Sequence, residues 1–156
     1  MILSPETLAQ VLGLKDEELD CAGRRLSLDK VFRFKGRGSL SKDGKSLPEL
    51  EEIHPVNGVF KLSPGAYKVR YREIVRVPPN AIALAIPRSS LLRMGVALFT
   101  AVWDPGYYGR GEGLLVVFNP FGVEIEYGAQ IAQLVYVRMD RETKKLYRGT
   151  YLGENI

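Results

Sequence analysis

Residues 58–77 read GVFKLSPGAYKVRYREIVRV, and this stretch decides the fold. Tyr67, Val69 and Tyr71 alternate with Lys68, Arg70 and Arg72. A period of two puts the rings and the valine on one face of a strand and the cations on the other. Before them, Val59, Lys61 and Ser63 alternate with Phe60 and Leu62. After them, Ile74 to Val77 runs into Pro78-Pro79-Asn80, which breaks the chain. Further short apolar runs follow at Ala81–Ile86, Val96–Trp103, Leu114–Phe118, Val123–Tyr127 and Ile131–Val137, each bounded by Gly, Pro or Asn. From Gly58 onward the expectation is therefore strands joined by turns, in a sandwich, jelly roll or irregular barrel.

Upstream, the signals differ. Ser4-Pro5-Glu6 predicts a helix start, with Ser4 as cap, Pro5 at the first helical position and Glu6 at the positive end of the dipole. Leu8, Val11 and Leu12 share one face, and Gly13 ends the helix. Residues 34–48, rich in Gly, Ser and Lys, predict an exposed loop or a long hairpin tip. At 156 residues the chain is expected to form one domain, with residues 137–156 as a tail.

Composition limits the chemistry. One cysteine, Cys21, and one histidine, His54, exclude a Cys/His zinc site with three or four ligands from one chain. Cys21 is expected to be a small buried residue, and His54 to lie on the surface. The chain starts without a basic stretch followed by an apolar run, and it has no apolar window of about 18 residues. A cytoplasmic protein without a membrane span is expected. The net charge of +4 suits a polyanionic ligand. A nucleic-acid-binding β module is the rival reading, resting on the basic and aromatic strand Tyr67–Arg72. It is disfavoured, because tyrosines and arginines there face opposite ways.

Three clusters remain for a site. In Pro87-Arg88-Ser89-Ser90-Leu91, two hydroxyls and a guanidinium meet an expected helical turn. They either cap that turn or cradle a phosphate. In Trp103-Asp104-Pro105-Gly106-Tyr107-Tyr108-Gly109, strong turn chemistry carries a carboxylate and a ring. They either serve the turn or project into a pocket, where the carboxylate would activate a water. In Gly128-Ala129-Gln130-Ile131-Ala132-Gln133, two of the three glutamines sit at a strand entrance, as surface amides or as ligand contacts.

Taken together, Pro-Arg-Ser-Ser, Asp-Pro-Gly-Tyr-x-Gly and Gly-x-x-Ile-Ala-Gln over residues 81–137 resemble the superfamily of trimeric dUTP diphosphatases and dCTP deaminases. The resemblance implies a mainly β fold: a distorted antiparallel sandwich of jelly-roll type with a short N-terminal helix and a helical turn after the Arg-Ser-Ser segment. It implies a homotrimer with sites at subunit interfaces. By the same resemblance, Arg88, Ser89 and Ser90 bind the phosphate chain, and Gln133 contacts phosphate. Asp104 orients the attacking water, Tyr107 packs on the deoxyribose, and the backbone of Phe99–Val102 reads the pyrimidine edge. The implied reaction is hydrolysis of dUTP to dUMP and pyrophosphate with Mg²⁺. The tail resembles that of archaeal deaminases and their bifunctional relatives, with Arg148 reaching a phosphate and Tyr151 covering the base.

Two departures shape the expectation. The deaminases carry a glutamate three residues before an asparagine, and Val116 stands there, before Asn119. Glu112 falls four residues early. Arg93 matches a deaminase-side arginine, but a valine moves no protons, so dUTP hydrolysis is favoured over dCTP deamination. The first family motif, Ala-Gly-x-Asp-Leu, reads Ala22-Gly23-Arg24-Arg25-Leu26. Arg25 replaces an aspartate that helps hold the metal's water shell, which leaves four readings: the metal is held differently, Asp20 substitutes as a ligand, an arginine takes over part of the metal's role, or the chain is a weakened or altered-specificity nucleotide-binding homologue.

Overall fold

A computed structural model describes residues 1–156. The helix α1 spans Pro5–Leu12. The Ser4 side chain accepts from the Thr7 N–H at its start, and Gly13, at φ +67°, closes it. Fourteen strands follow: β1 Leu19–Asp20, β2 Gly23–Phe34, β3 Ser39–Leu40, β4 Lys45–Ser46, β5 Leu50–Ile53, β6 Val59–Leu62, β7 Gly65–Tyr71, β8 Val75–Arg76, β9 Ala81–Pro87, β10 Val96–Phe99, β11 Tyr108–Gly109, β12 Glu112–Val117, β13 Val123–Glu126 and β14 Gln130–Arg138. One further short helix, α2 Ser89–Arg93, lies between β9 and β10.

The main sheet runs β10-β12-β7-β2-β14-β9, and every pairing is antiparallel. Its centre is β2, the longest strand, which belongs to two half-sheets. Its first half lies between β1 and β14, and its second half lies between β5 and β7. A bulge at Asp29 separates the halves. Before it, Leu26 and Leu28 face the core; after it, Val31 does. The inner faces close on one core, with Val31, Val69, Tyr71 and Leu115 from one half and Leu26, Leu28, Leu134 and Tyr136 from the other. Two ribbons, β6–β13 and β8–β11, complete the sandwich.

The strands expected from Gly58 onward correspond to β6 to β10 and β12 to β14, but the run Val96–Trp103 is strand only to Phe99, and β11 falls in the segment expected as a turn; residues 34–48 form an exposed tip holding the β3–β4 hairpin. The sequence reading missed β2. Charged residues stud that strand, its buried Arg24 donates to the Ile74 carbonyl at 2.6 Å and to Glu18 at 2.8 Å, and its bulge breaks the alternation. Cys21 is exposed rather than buried, because it sits in the turn between β1 and β2. The tail starts one residue after Arg138, since Val137 and Arg138 still pair with β9. His54 lies on the surface. No helix is long and apolar enough to cross a membrane.

Candidate active site

β10 and β12 pair directly, so the segment between them is a long hairpin connection that carries Asp104 and Tyr107. Trp103 anchors it. Its N–H and C=O exchange 2.9 Å bonds with Ala83 of β9. Its ring stands edge-on to Tyr71, with centroids 5.7 Å apart, and neighbours Tyr107 at 6.4 Å. Gly111 passes so close to the indole that a Cβ there would lie 2.6 Å away. Pro105 and Gly106, at φ +83°, then turn the chain, and the Tyr107 N–H bonds the Asp104 carbonyl. Asp104 is thus held on a rigid turn above an aromatic stack.

This turn borders a cleft of about 340 Å³. Ala101, Val102, Asp104 and Tyr107 form one wall, and Phe34, Leu47 and Pro48 another. The cleft holds three carboxylates. Glu112 is taken up by Lys68 at 2.9 Å and Arg70 at 3.4 Å. Glu154 accepts the Tyr107 hydroxyl at 2.8 Å. The Asp104 side chain has no hydrogen-bond or ion-pair partner in the chain and is exposed.

The tail folds back over this cleft. Tyr147 N–H bonds Pro105 O, Gly153 N–H bonds Tyr108 O, and Arg110 N–H bonds Glu154 O, at 2.7–3.0 Å. Tyr151 lines the cleft and bonds Lys45, whereas Arg148 is exposed and lies outside it. Tyr107 is left 3% exposed beneath the tail. Burial, reinforced by the bond to Glu154, raises its hydroxyl pKa. Burial also raises the Glu154 carboxyl above its ordinary value; the Tyr107 hydroxyl opposes this and Glu112 adds to it.

The second cluster lies elsewhere. Arg88, Ser89, Ser90 and Gln133 do not line the cleft. Ser89 and Ser90 do not cap α2. The N-cap position is Arg88, and no side chain caps the helix, because both serines already lie inside it. The Arg88 guanidinium instead donates through Nη1 to Asp20 at 2.8 Å and to Gln130 Oε1 at 2.6 Å. A bulge at Ile131 turns Gln130 onto the face that holds Gln133 and Arg25. Gln133, with its amide oxygen towards the β1–β2 turn, accepts from the Ala22 and Gly23 N–H groups.

Asp20 is not placed as a free metal ligand. The Asp20 oxygens are occupied by Arg88, Gln130 and the Cys21 N–H. These bonds, led by that from Gln130, hold its pKa below the usual value, helped by the charges of Arg88 and Arg25. No three His, Cys, Asp or Glu side chains converge to hold a metal ion. The residues present do not fit a protein-held metal.

A family model described as dCTP deaminase-like matches residues 8–139. The chain belongs to the dCTP deaminase-like family. A protein of Aeropyrum pernix named "probable deoxyuridine 5'-triphosphate nucleotidohydrolase" is 42% identical over 149 residues, covering 96% of this chain and 94% of that protein. A Methanocaldococcus jannaschii protein named "deoxyuridine 5'-triphosphate nucleotidohydrolase" is 40% identical over 145 residues, covering 90% and 91%. The fold is shared with a crystal structure of 2'-deoxycytidine 5'-triphosphate deaminase from Agrobacterium tumefaciens, at TM-score 0.72 and 19% identity over 92% of this chain. This chain spans half the length of that deaminase chain.

Glu154, Tyr147 and Lys68 line the cleft without any motif that marks them in the sequence. Each reaches it through contacts distant in sequence, which no local pattern signals. Glu112, four residues early for the deaminase glutamate, lines the cleft, whereas Val116 lies mid-strand in β12, outside it.

Proposed function

We propose that this chain is a dUTP nucleotidohydrolase, releasing dUMP and pyrophosphate. One observation carries the reading: of the three cleft carboxylates, Asp104 alone is unpaired, and it sits on a rigid turn beside Tyr107. A base must be free to take a proton, and Glu112 and Glu154 are engaged. The archaeal relatives that bear this name, at about the full length of the chain, point the same way.

In this reading the uracil edge meets the hairpin backbone of Phe99–Val102, and the deoxyribose packs on Tyr107. Asp104 orients a water against the α-phosphorus. The water oxygen bonds to phosphorus, its proton passes to the Asp104 carboxylate, and the bond to the bridging oxygen breaks so that pyrophosphate leaves. Such a transition state needs positioning and charge neutralisation above all. Arg88 supplies charge, with Ser89, Ser90 and Gln133 as further phosphate donors. Mg²⁺ enters on the phosphate chain as part of the substrate. Arg148 and Tyr151 belong to the tail that covers the nucleotide.

The cleft and the Arg88 cluster are separate in one chain, which supports a homotrimer where one subunit's cradle meets another's cleft. Light scattering should then give three chains per particle. Work in the cytoplasm accords with an exposed free thiol at Cys21. Lys68 and Arg70, which prompted the nucleic-acid reading, are taken up by Glu112. The test is a panel of dUTP, dCTP, dTTP and UTP, with pyrophosphate and ammonia read separately. Pyrophosphate from dUTP alone is expected. Ammonia from dCTP would replace the reading with deamination, and Glu112 is the group in the cleft that would carry it.

A further inference from the structure

The Asp20 carboxylate needs a reason to stand where it does. An acid beside a phosphate-binding arginine repels the ligand unless it serves the arginine. Asp20 comes from the end of β1, Arg88 from the junction between β9 and α2, and Gln130 from the start of β14. The three close a ring. Arg88 Nη1 donates to Asp20 Oδ2 and to Gln130 Oε1, and Gln130 Nε2 donates back to Asp20 Oδ2 at 2.8 Å. The Cys21 N–H holds the other carboxylate oxygen at 2.9 Å, which fixes the acid to the turn.

A guanidinium carries five N–H donors. Both hydrogens of Nη1 are spent on this ring. The edge formed by Nε and Nη2 has no partner in the chain, and it is the fork that grips two phosphate oxygens side by side. The arginine side chain is 41% exposed and Asp20 only 20%, so the guanidinium keeps access to solvent while its anchor is the more buried partner. We propose that Asp20 is a positioning residue: with Gln130 it locks one edge of the Arg88 guanidinium and presents the other to the phosphate chain. This rests on Arg88 as the phosphate ligand of the proposed hydrolase. A long side chain ordered in advance loses less freedom when the ligand arrives.

The test is calorimetric titration of the full chain with inorganic tripolyphosphate, comparing wild type with Asp20→Ala, Asp20→Asn and Gln130→Ala. Asp20→Ala should bind about tenfold more weakly, the scale of one charge-assisted contact. Asp20→Asn should fall between the two, and Gln130→Ala should weaken binding in the same sense if Asp20→Ala fails to fold. The kcat/KM for dUTP should fall by at least the same factor, because Arg88 also neutralises charge in the transition state, while affinity for deoxyuridine, which lacks phosphate, stays the same. A merely structural role would lower the melting temperature and spare this selectivity. Tripolyphosphate binding that is equal or tighter in Asp20→Ala overturns the proposal, and if the wild type still hydrolyses dUTP, the hydrolase reading stands. Weakened binding in Asp20→Ala with no wild-type turnover of dUTP keeps the Asp20 role and removes the hydrolase reading. A wild-type chain that binds no tripolyphosphate overturns both.

Discussion

Asp104→Asn isolates the proposed chemistry from the architecture that holds it. The substitution keeps the shape of the side chain and removes its capacity to take a proton. The Asp104 carboxylate bonds nothing in the chain, so the folded state loses no interaction, and stability should change by less than about 0.5 kcal/mol, as for ordinary surface positions. The turn itself is kept by the backbone bond from Tyr107 to the Asp104 carbonyl, which the variant retains. A positioned general base contributes roughly 10²–10⁴ in rate. At about 1.36 kcal/mol per tenfold, the barrier should rise by about 2.7–5.4 kcal/mol. Affinity for a non-hydrolysable dUTP analogue should stay level or improve slightly, because a negative charge beside a polyanion has gone. Pyrophosphate release, calorimetry with the analogue and a melting curve measure the three quantities on one preparation. A variant that keeps more than about a tenth of wild-type kcat refutes the water-activating role. Lost activity together with a large fall in melting temperature refutes it too, since Asp104 would then be structural.

The tail offers a pH-dependent prediction. The Glu154 pKa is raised where it is docked, so docking is strongest below the ordinary glutamate value and weakens as pH rises through the raised one. Glu154→Gln keeps an acceptor for Tyr107 and removes the charge, so the Gly153 and Arg110 amides should exchange more slowly than wild type at neutral pH; faster exchange would contradict this. Gly111→Ala drives a methyl into the Trp103 indole and should cost about 1–3 kcal/mol, seen as a lower denaturation midpoint. Arg24→Ala strips the Ile74 carbonyl of its buried donor and should cost about 1–3 kcal/mol, or roughly 2–4 °C in melting temperature per kcal/mol. An unchanged melting curve would show that water replaces the guanidinium.

The β7 strand was legible because one face meets the core and the other meets solvent and Glu112, so polarity alternates in step with the backbone. The β2 strand was not, because burial follows its neighbours rather than its own composition: Arg24 is buried since two acceptors await it. The same division holds in the site. Asp104 and Tyr107 announce themselves through Asp-Pro-Gly turn chemistry, which is local. Ser89 and Ser90 look like caps in sequence, yet the helix starts one residue earlier than such a cap requires. Asp20 looked like a metal ligand until its partners, 68 and 110 positions away, were in view.

The bulge at Asp29 has a consequence for how this strand tolerates change. It acts as a phase correction between two half-sheets, moving the inward positions from Leu26 and Leu28 to Val31. Deleting one residue from the second half of β2 would exchange its inward and outward sides, sending Lys30 and Phe32 towards the core and Val31 to solvent. Phe32 now lies under the Lys68 ammonium, within 4.6 Å of its ring centre, beside the cleft. The Arg25 end and the Phe32 end of one strand are therefore kept in step by a single extra residue. Length changes within β2 should be accepted only at the bulge or in compensating pairs.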